Sequence, residues 1–208
     1  MAGKPKGNKY YGPVAENYVR RRKKQQWWHQ EQAAMEALLT KLPDGLSVLD
    51  VPFGTGRFTK MFDAKGYDIH GLDISGDMLA AARAENGDAL IDACTLEIGS
   101  SDNLPFKDRQ FDLLVSVRFL SNIIVKDVAL ASLREFRRVT DGHAILQLAY
   151  THEGGIDVPG NEVMDDRMSK KDTIGILTDA GFKVIDQIGV KDVEENNSTI
   201  YMFLCETV

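Results

Sequence analysis

The stretch Ser47-Val48-Leu49-Asp50-Val51-Pro52-Phe53-Gly54-Thr55-Gly56 decides the fold. A short apolar run bounded by turn residues reads as a buried strand, and it leads straight into a glycine turn. Phe58, Met61 and Phe62 then line a helix that Gly66 closes. Outward from this unit the alternation repeats. Tyr67–Ile74 reads as a second strand, and Ser75 caps a helix with Asp77 in its first turn. Thr95–Ile98 and Phe111–Val117 read as the third and fourth strands, and Ala144–Tyr150 as the fifth. Between the last two, Val128, Leu133, Phe136 and Val139 mark a helix ending at Asp141-Gly142. Strands and helices alternating in this way form βαβ units, hence a parallel sheet covered on both faces.

The two ends depart from that rhythm. Residues 1–12 read as an arm, and Pro13 to about Lys41 carries the spacing of a helix through Trp28, Met35, Leu38 and Leu42. Ser169-Lys170-Lys171-Asp172 is a capping box opening a helix to Ala180-Gly181. Phe182–Val190 and Thr199–Cys205 follow without a helix between them, as a hairpin that closes the sheet with an antiparallel strand. Residues 1–45 are therefore expected to be an arm with lid helices, and 46–208 the main domain, packed as one compact unit. Thr151–Met168 is long, polar and glycine-rich at the carboxyl end of the fifth strand, the place for a binding loop.

The 208 residues fit one domain. Two cysteines, Cys94 and Cys205, make no disulfide framework, so a reduced, cytoplasmic setting is expected. The first 24 residues hold eight Lys/Arg against the single acid Glu16, leaving 17 basic and 30 acidic residues in the rest of a chain of net charge −6. An acidic body argues against a nucleic-acid partner, because a phosphate backbone needs clustered cations. No run approaches the roughly 20 apolar residues that span a bilayer, so no membrane partner is expected either.

Three acids close successive strands: Asp50 before the glycine turn, Asp73 about 20 residues on, and Asp102 within Ser101-Asp102-Asn103. Gly54 and Gly56 let backbone approach a ligand, Asp73 can accept from both hydroxyls of a ribose, and Asp102 from an adenine amine. In this order they form a track for adenosine.

These residues resemble the class I S-adenosylmethionine (SAM)-dependent methyltransferases, in the small-molecule branch of ubiquinone- and menaquinone-biosynthesis-like enzymes. Val48–Phe58 is similar to the first motif of the family and Gly71–Leu79 to its second. Leu104-Pro105-Phe106 through Leu113 is similar to the approach to the fourth strand, and Leu133–Val139 to the helix after it. Tyr11-x3-Ala15-x2-Tyr18-x3-Arg22 resembles the N-terminal helix that covers the cofactor in this branch. The resemblance implies a Rossmann-like, seven-stranded, mostly parallel sheet with an antiparallel last strand and helices on both faces. It implies SAM as cofactor, S-adenosylhomocysteine as product, and a small-molecule acceptor in a monomer or homodimer. The implied cofactor contacts are Tyr11, Tyr18, Arg22, Asp50, Pro52, Gly54, Thr55, Gly56, Asp73, Ile74, Met78, Ser101, Asp102, Asn103 and Val117. Pro52 stands where the family usually has glycine; it removes one N–H and fixes φ, and the reading favoured is that the turn tolerates it.

A nicotinamide dehydrogenase fits less well, because Thr59 stands where its third glycine would be. Ser116-Val117-Arg118-Phe119-Leu120 lacks the Pro-Pro motif of amino-methylating nucleic-acid enzymes, and the two cysteines read as core thiols. No metal-ligand cluster is expected. In-line displacement needs a base only for a protic nucleophile, with His152 and Tyr150 as candidates. Arg118 either orients an anionic substrate or makes a surface ion pair. An RNA-directed methyltransferase and a non-catalytic SAM-binding regulator are the alternative readings. Removal of Asp73 is expected to cost cofactor affinity and leave stability unchanged.

Overall fold

The computed structural model describes residues 12, 20, 22–120, 126–152 and 168–208. In chain order its elements are α1 (Gln26–Leu39), β1 (Ser47–Asp50), α2 (Thr59–Ala64), β2 (Asp68–Asp73), α3 (Gly76–Asn86), α4 (Asp88–Asp92) and β3 (Thr95–Ile98). These are followed by β4 (Phe111–Ser116), α5 (Lys126–Val139), β5 (Thr140–Thr151), α6 (Lys170–Asp179), β6 (Phe182–Val193) and β7 (Ser198–Thr207). The seven strands form one sheet in the order β3-β2-β1-β4-β5-β7-β6. All neighbours pair parallel except β7, which runs antiparallel to β5 and to β6. The expected α/β architecture and its reversed last strand are thus observed.

Each face of the sheet has its own core, because alternate side chains of buried strands point to opposite faces. Leu49, Leu114 and Leu146 meet Leu133 and Phe136 of α5 and Leu177 of α6 on one face. Val48, Leu113, Val115 and Ile145 meet Met35 and Leu38 of α1 and Phe62 of α2 on the other. The two expected helix starts are capped by side chains: Ser75 Oγ accepts from the Met78 N–H and Ser169 Oγ from the Asp172 N–H.

The structure corrects two boundaries, and most of a third expected segment lies outside the described residues. The described helix α1 begins at Gln26, and residues 13–19 of the expected longer helix lie outside the described residues. The helix before the fifth strand does not run to Gly142: α5 ends at Val139 and β5 starts at once with Thr140. Gly142 is instead a strand residue pressed on β4, where a Cβ would lie 2.6 Å from the Asp112 carbonyl oxygen. Of the proposed binding loop only Thr151, His152 and Met168 are described; residues 153–167 lie outside.

Gly71 on β2 ties the sheet to the turn after β1, since a Cβ there would lie 2.3 Å from the Phe53 ring and 2.7 Å from Leu96. Both neighbours are packed, so neither can yield cheaply. Gly71→Ala is expected to destabilise the protein by about 1–3 kcal/mol. A lower urea midpoint at unchanged m-value is the measurement.

Candidate active site

The carboxyl ends of β1, β2 and β4 meet at the turn 51–58. Val51 N–H donates to the Val115 carbonyl of β4 (2.9 Å) and Phe53 N–H to the Leu72 carbonyl of β2 (2.9 Å). Pro52, half-buried between them, therefore sits where its flanking amides are already spent on the two neighbouring strands. Gly54 and Gly56 follow with φ of +60° and +64°, a region that disfavours any side chain. At Gly56 a Cβ would come within 2.9 Å of Phe53. Asn86, at the end of α3, donates to the carbonyl of the buried Thr55 (2.8 Å) and holds the turn from outside.

The two strand-end acids sit in unlike surroundings. Asp73 accepts from the Gly54 N–H (2.8 Å) and the Ser75 N–H (2.9 Å), so it fastens β2 to the glycine turn. It is 5% exposed, and burial raises its pKa against the lowering by these amides. This corrects the view that Asp73 only binds: its loss would also strip two amides of their acceptor. Asp50 is 3% exposed, and among the described residues no hydrogen bond reaches its carboxylate. Burial first, then the charge of Asp73, push its pKa well above the usual range, while Arg57 pulls it down.

The remaining expected contacts divide. Ile74, 52% exposed, follows β2, and Ile98, 69% exposed, ends β3, paired with Asp73 of β2, while Met78 on α3 is buried. Asp102 and Asn103, in the turn after β3, are exposed, with Asp102 accepting from the Ser100 hydroxyl. Ser101 instead hydrogen-bonds the Ser132 hydroxyl (2.9 Å) on α5. Val117 packs on the α1 side of the sheet. Tyr11 and Tyr18 lie outside the described residues. Arg22 donates to Gln25 Oε1 (3.3 Å), with its guanidinium 5.8 Å from the Trp27 ring.

Tyr150 and His152 do not join the site. Leu146 is level with Ser116, the last residue of β4, so these two stand about 13 and 20 Å farther along β5 at 3.3 Å per residue. Tyr150 is core: its ring stacks on Tyr201 (4.4 Å) and its hydroxyl accepts from Gln187 Nε2 (2.9 Å). The Thr199 hydroxyl gives its proton to Asp192 (2.6 Å), so His152 Nε2 must donate to Thr199 (2.7 Å). No proton-transfer role in the site follows for either.

The sequence reading missed Glu31. Wholly buried on α1, its carboxylate binds Arg57 of the glycine turn, Arg118 after β4 (Nη2 at 2.5 Å) and Gln147 of β5 (Nε2 at 2.6 Å). Arg57 also donates to the Trp28 carbonyl (2.5 Å) and lies 3.7 Å from the Trp28 ring; Arg118 lies 3.6 Å from that of Trp27. Arg118 is therefore part of a buried cluster, which corrects the surface ion-pair reading. A signal existed: Glu31 falls at i+3 from Trp28 and i−4 from Met35, a charge on an apolar stripe. Among the described residues no His/Cys/Asp/Glu group could hold a metal ion, and no helix is long and apolar enough to cross a membrane.

Residues 48–142 match the family model of a methyltransferase domain. The chain therefore contains a methyltransferase domain. It is 31% identical over 172 residues to the ubiquinone/menaquinone biosynthesis C-methyltransferase UbiE of Burkholderia orbicola, covering 79% of this chain and 60% of that protein. It is 30% identical over 131 residues to the malonyl-[acyl-carrier protein] O-methyltransferase of Pectobacterium atrosepticum, covering 61% and 47%. The chain thus spans about half to three fifths of the length of these curated relatives. The fold is shared where sequence has diverged. Magnesium protoporphyrin IX methyltransferase of Synechocystis PCC 6803, solved with bound S-adenosylhomocysteine, superposes with a TM-score of 0.71 at 17% identity, covering 96% of this chain and 97% of that one.

Glu31→Ala would leave Arg57 and Arg118 buried without their carboxylate. We expect a loss of about 3–5 kcal/mol, the usual cost of removing one partner of a buried pair. Urea unfolding followed by tryptophan fluorescence reads it, with Trp27 and Trp28 as reporters.

Proposed function

We propose that this protein is a SAM-dependent methyltransferase that transfers a methyl group to a small-molecule acceptor by in-line displacement. The observation that carries the reading is Asp50. A buried carboxylate with no hydrogen-bond donor among the described residues, set beside a second acid and a glycine turn, suits a cationic donor on a ligand, because burying it unmet is costly. The ammonium of SAM fits that need. Asp73 keeps acceptor capacity beyond its backbone donors for a ribose hydroxyl, the exposed Ile74 and Ile98 suit a flat adenine, and exposed Asp102 follows β3. The residues present therefore fit the cofactor.

When bound, SAM supplies a methyl group already activated on a sulfonium. What remains for the chain is to align and to exclude water. Gly54 and Gly56 keep the turn free of side chains, and Asn86 and Asp73 fix it from both sides. The acceptor face lies on the other side of the turn, over β4 and β5, where Glu31 locks Arg118 and Gln147. The N-terminal arm serves as cover in this reading. Its Gly12 N–H donates to Asp77 (2.7 Å) in the first turn of α3, and Lys23 pairs with Glu85 in the last. Calorimetry with S-adenosylhomocysteine and with NAD tests the reading: heat with NAD alone would overturn it. A methyl-transfer screen over small metabolites then tests turnover.

Two variants probe its parts. The raised pKa of Asp50 means that the folded chain holds this proton more tightly than the unfolded chain, so stability falls as pH rises from about 4, the unfolded carboxylate value, through the folded value. Asp50→Asn should raise the Tm of the ligand-free protein at pH 7, with the gain shrinking as pH falls. The same variant should weaken S-adenosylhomocysteine binding by about tenfold or more, the worth of a charge-assisted hydrogen bond.

Deleting residues 1–22 should weaken S-adenosylhomocysteine binding while leaving the Tm of the ligand-free protein nearly unchanged. Calorimetry and a thermal melt of the truncated and full-length chains make the comparison.

A further inference from the structure

We infer that the surface around Trp27 is the seat of a carboxylate on the methyl acceptor, with Lys191 as the residue that binds it; the inference rests on the methyltransferase reading above. Three cations lie within 6 Å of the Trp27 ring: Arg118 at 3.6 Å, Lys191 at 5.0 Å and Arg22 at 5.8 Å. Such a gathering is unusual in a chain of net charge −6. One aromatic face attracts a cation, and a lysine sharing that ring with a guanidinium is held there more readily when an anion lies beside it. Glu31 serves Arg118 and Arg57. Lys191 is half-buried and, among the described residues, has no anionic partner. The neighbouring acid, Asp192, accepts the Thr199 hydroxyl.

Position in the sheet assigns this site to the acceptor. The cofactor acids stand on β1 and β2, while Lys191 stands on β6, four strands across from β1 in the order β1-β4-β5-β7-β6. At about 4.8 Å per strand that is roughly 19 Å. Lys191 pairs with Ile200 of β7, which pairs with Ala149 of β5, three residues past the level where β4 ends. The cations thus lie about 10 Å above the end of β4, at 3.3 Å per residue, on the α1 side. Trp27 bridges this height to Arg118 at the end of β4. An acceptor held by its carboxylate at Lys191 would extend down along the indole toward the glycine turn.

The test uses the full chain saturated with S-adenosylhomocysteine, with 4-hydroxybenzoate and its uncharged counterpart 4-hydroxybenzamide as probes in calorimetry. Wild type should bind the benzoate at least tenfold more tightly than the amide. Lys191→Gln should remove that preference and Lys191→Arg restore it, with circular dichroism and Tm unchanged. Affinity for S-adenosylhomocysteine should be the same in all three proteins. A drop in that affinity for Lys191→Gln would assign the lysine to the cofactor's own carboxylate and overturn the inference. Equal binding of the two probes to wild type, or a preference that survives in Lys191→Gln, would overturn it as well. Failure of wild type to bind S-adenosylhomocysteine at all would instead strike the methyltransferase reading.

Discussion

One buried carboxylate sets how the parts of this molecule meet. Glu31 takes hydrogen bonds from Arg57, Arg118 and Gln147, and so joins helix α1 to the glycine turn, to the end of β4 and to β5. Two guanidinium groups and an amide around a single acid leave few of its lone pairs unmet, which is the condition under which a buried ion cluster is tolerated. The indoles of Trp27 and Trp28 complete the enclosure with their ring faces. Any shift of α1 would break several charged contacts at once, so the ends of β4 and β5 and the glycine turn are held to one another through it.

The acids at the strand ends obey a different economy. Asp73 is met from within by backbone amides of Gly54 and Ser75, and it is as much a strut as a ligand. Asp50 has no donor among the described residues and is pushed toward its neutral form by burial and by Asp73. Keeping such a group costs stability, the common compromise at functional positions. Arg57 links the two regimes, since its charge both pairs with Glu31 and lowers the pKa of Asp50.

The sheet order divides the labour. In the proposed function strands β3, β2 and β1 carry the groups for adenosine, while the cations gathered at Trp27 stand across β4, β5, β7 and β6. The reversed β7 lets two long strands, β6 and β7, rise past the level at which β4 stops. That added height carries Tyr150 and His152 away from the turn, while on the α1 face it brings Lys191 to Trp27.

Much of this was legible in the sequence by itself. Period-2 and helical patterns, the turn Pro52–Gly56 and the caps Ser75 and Ser169 express local preferences, and local preferences determine which elements form. The antiparallel hairpin at the end followed from two strands with no helix between them. The acids were readable because Asp50 and Asp73 close strands and Asp102 follows the third, and strand ends meet at one edge of a parallel sheet. The tertiary structure alone decided which of those acids is met and which is left wanting. It alone joined Glu31 to residues 26, 87 and 116 positions away, and it set His152 too far along β5 to reach the turn. Pairings of that kind depend on register and on which side chains share a face after the sheet has formed, and spacing along a chain carries neither.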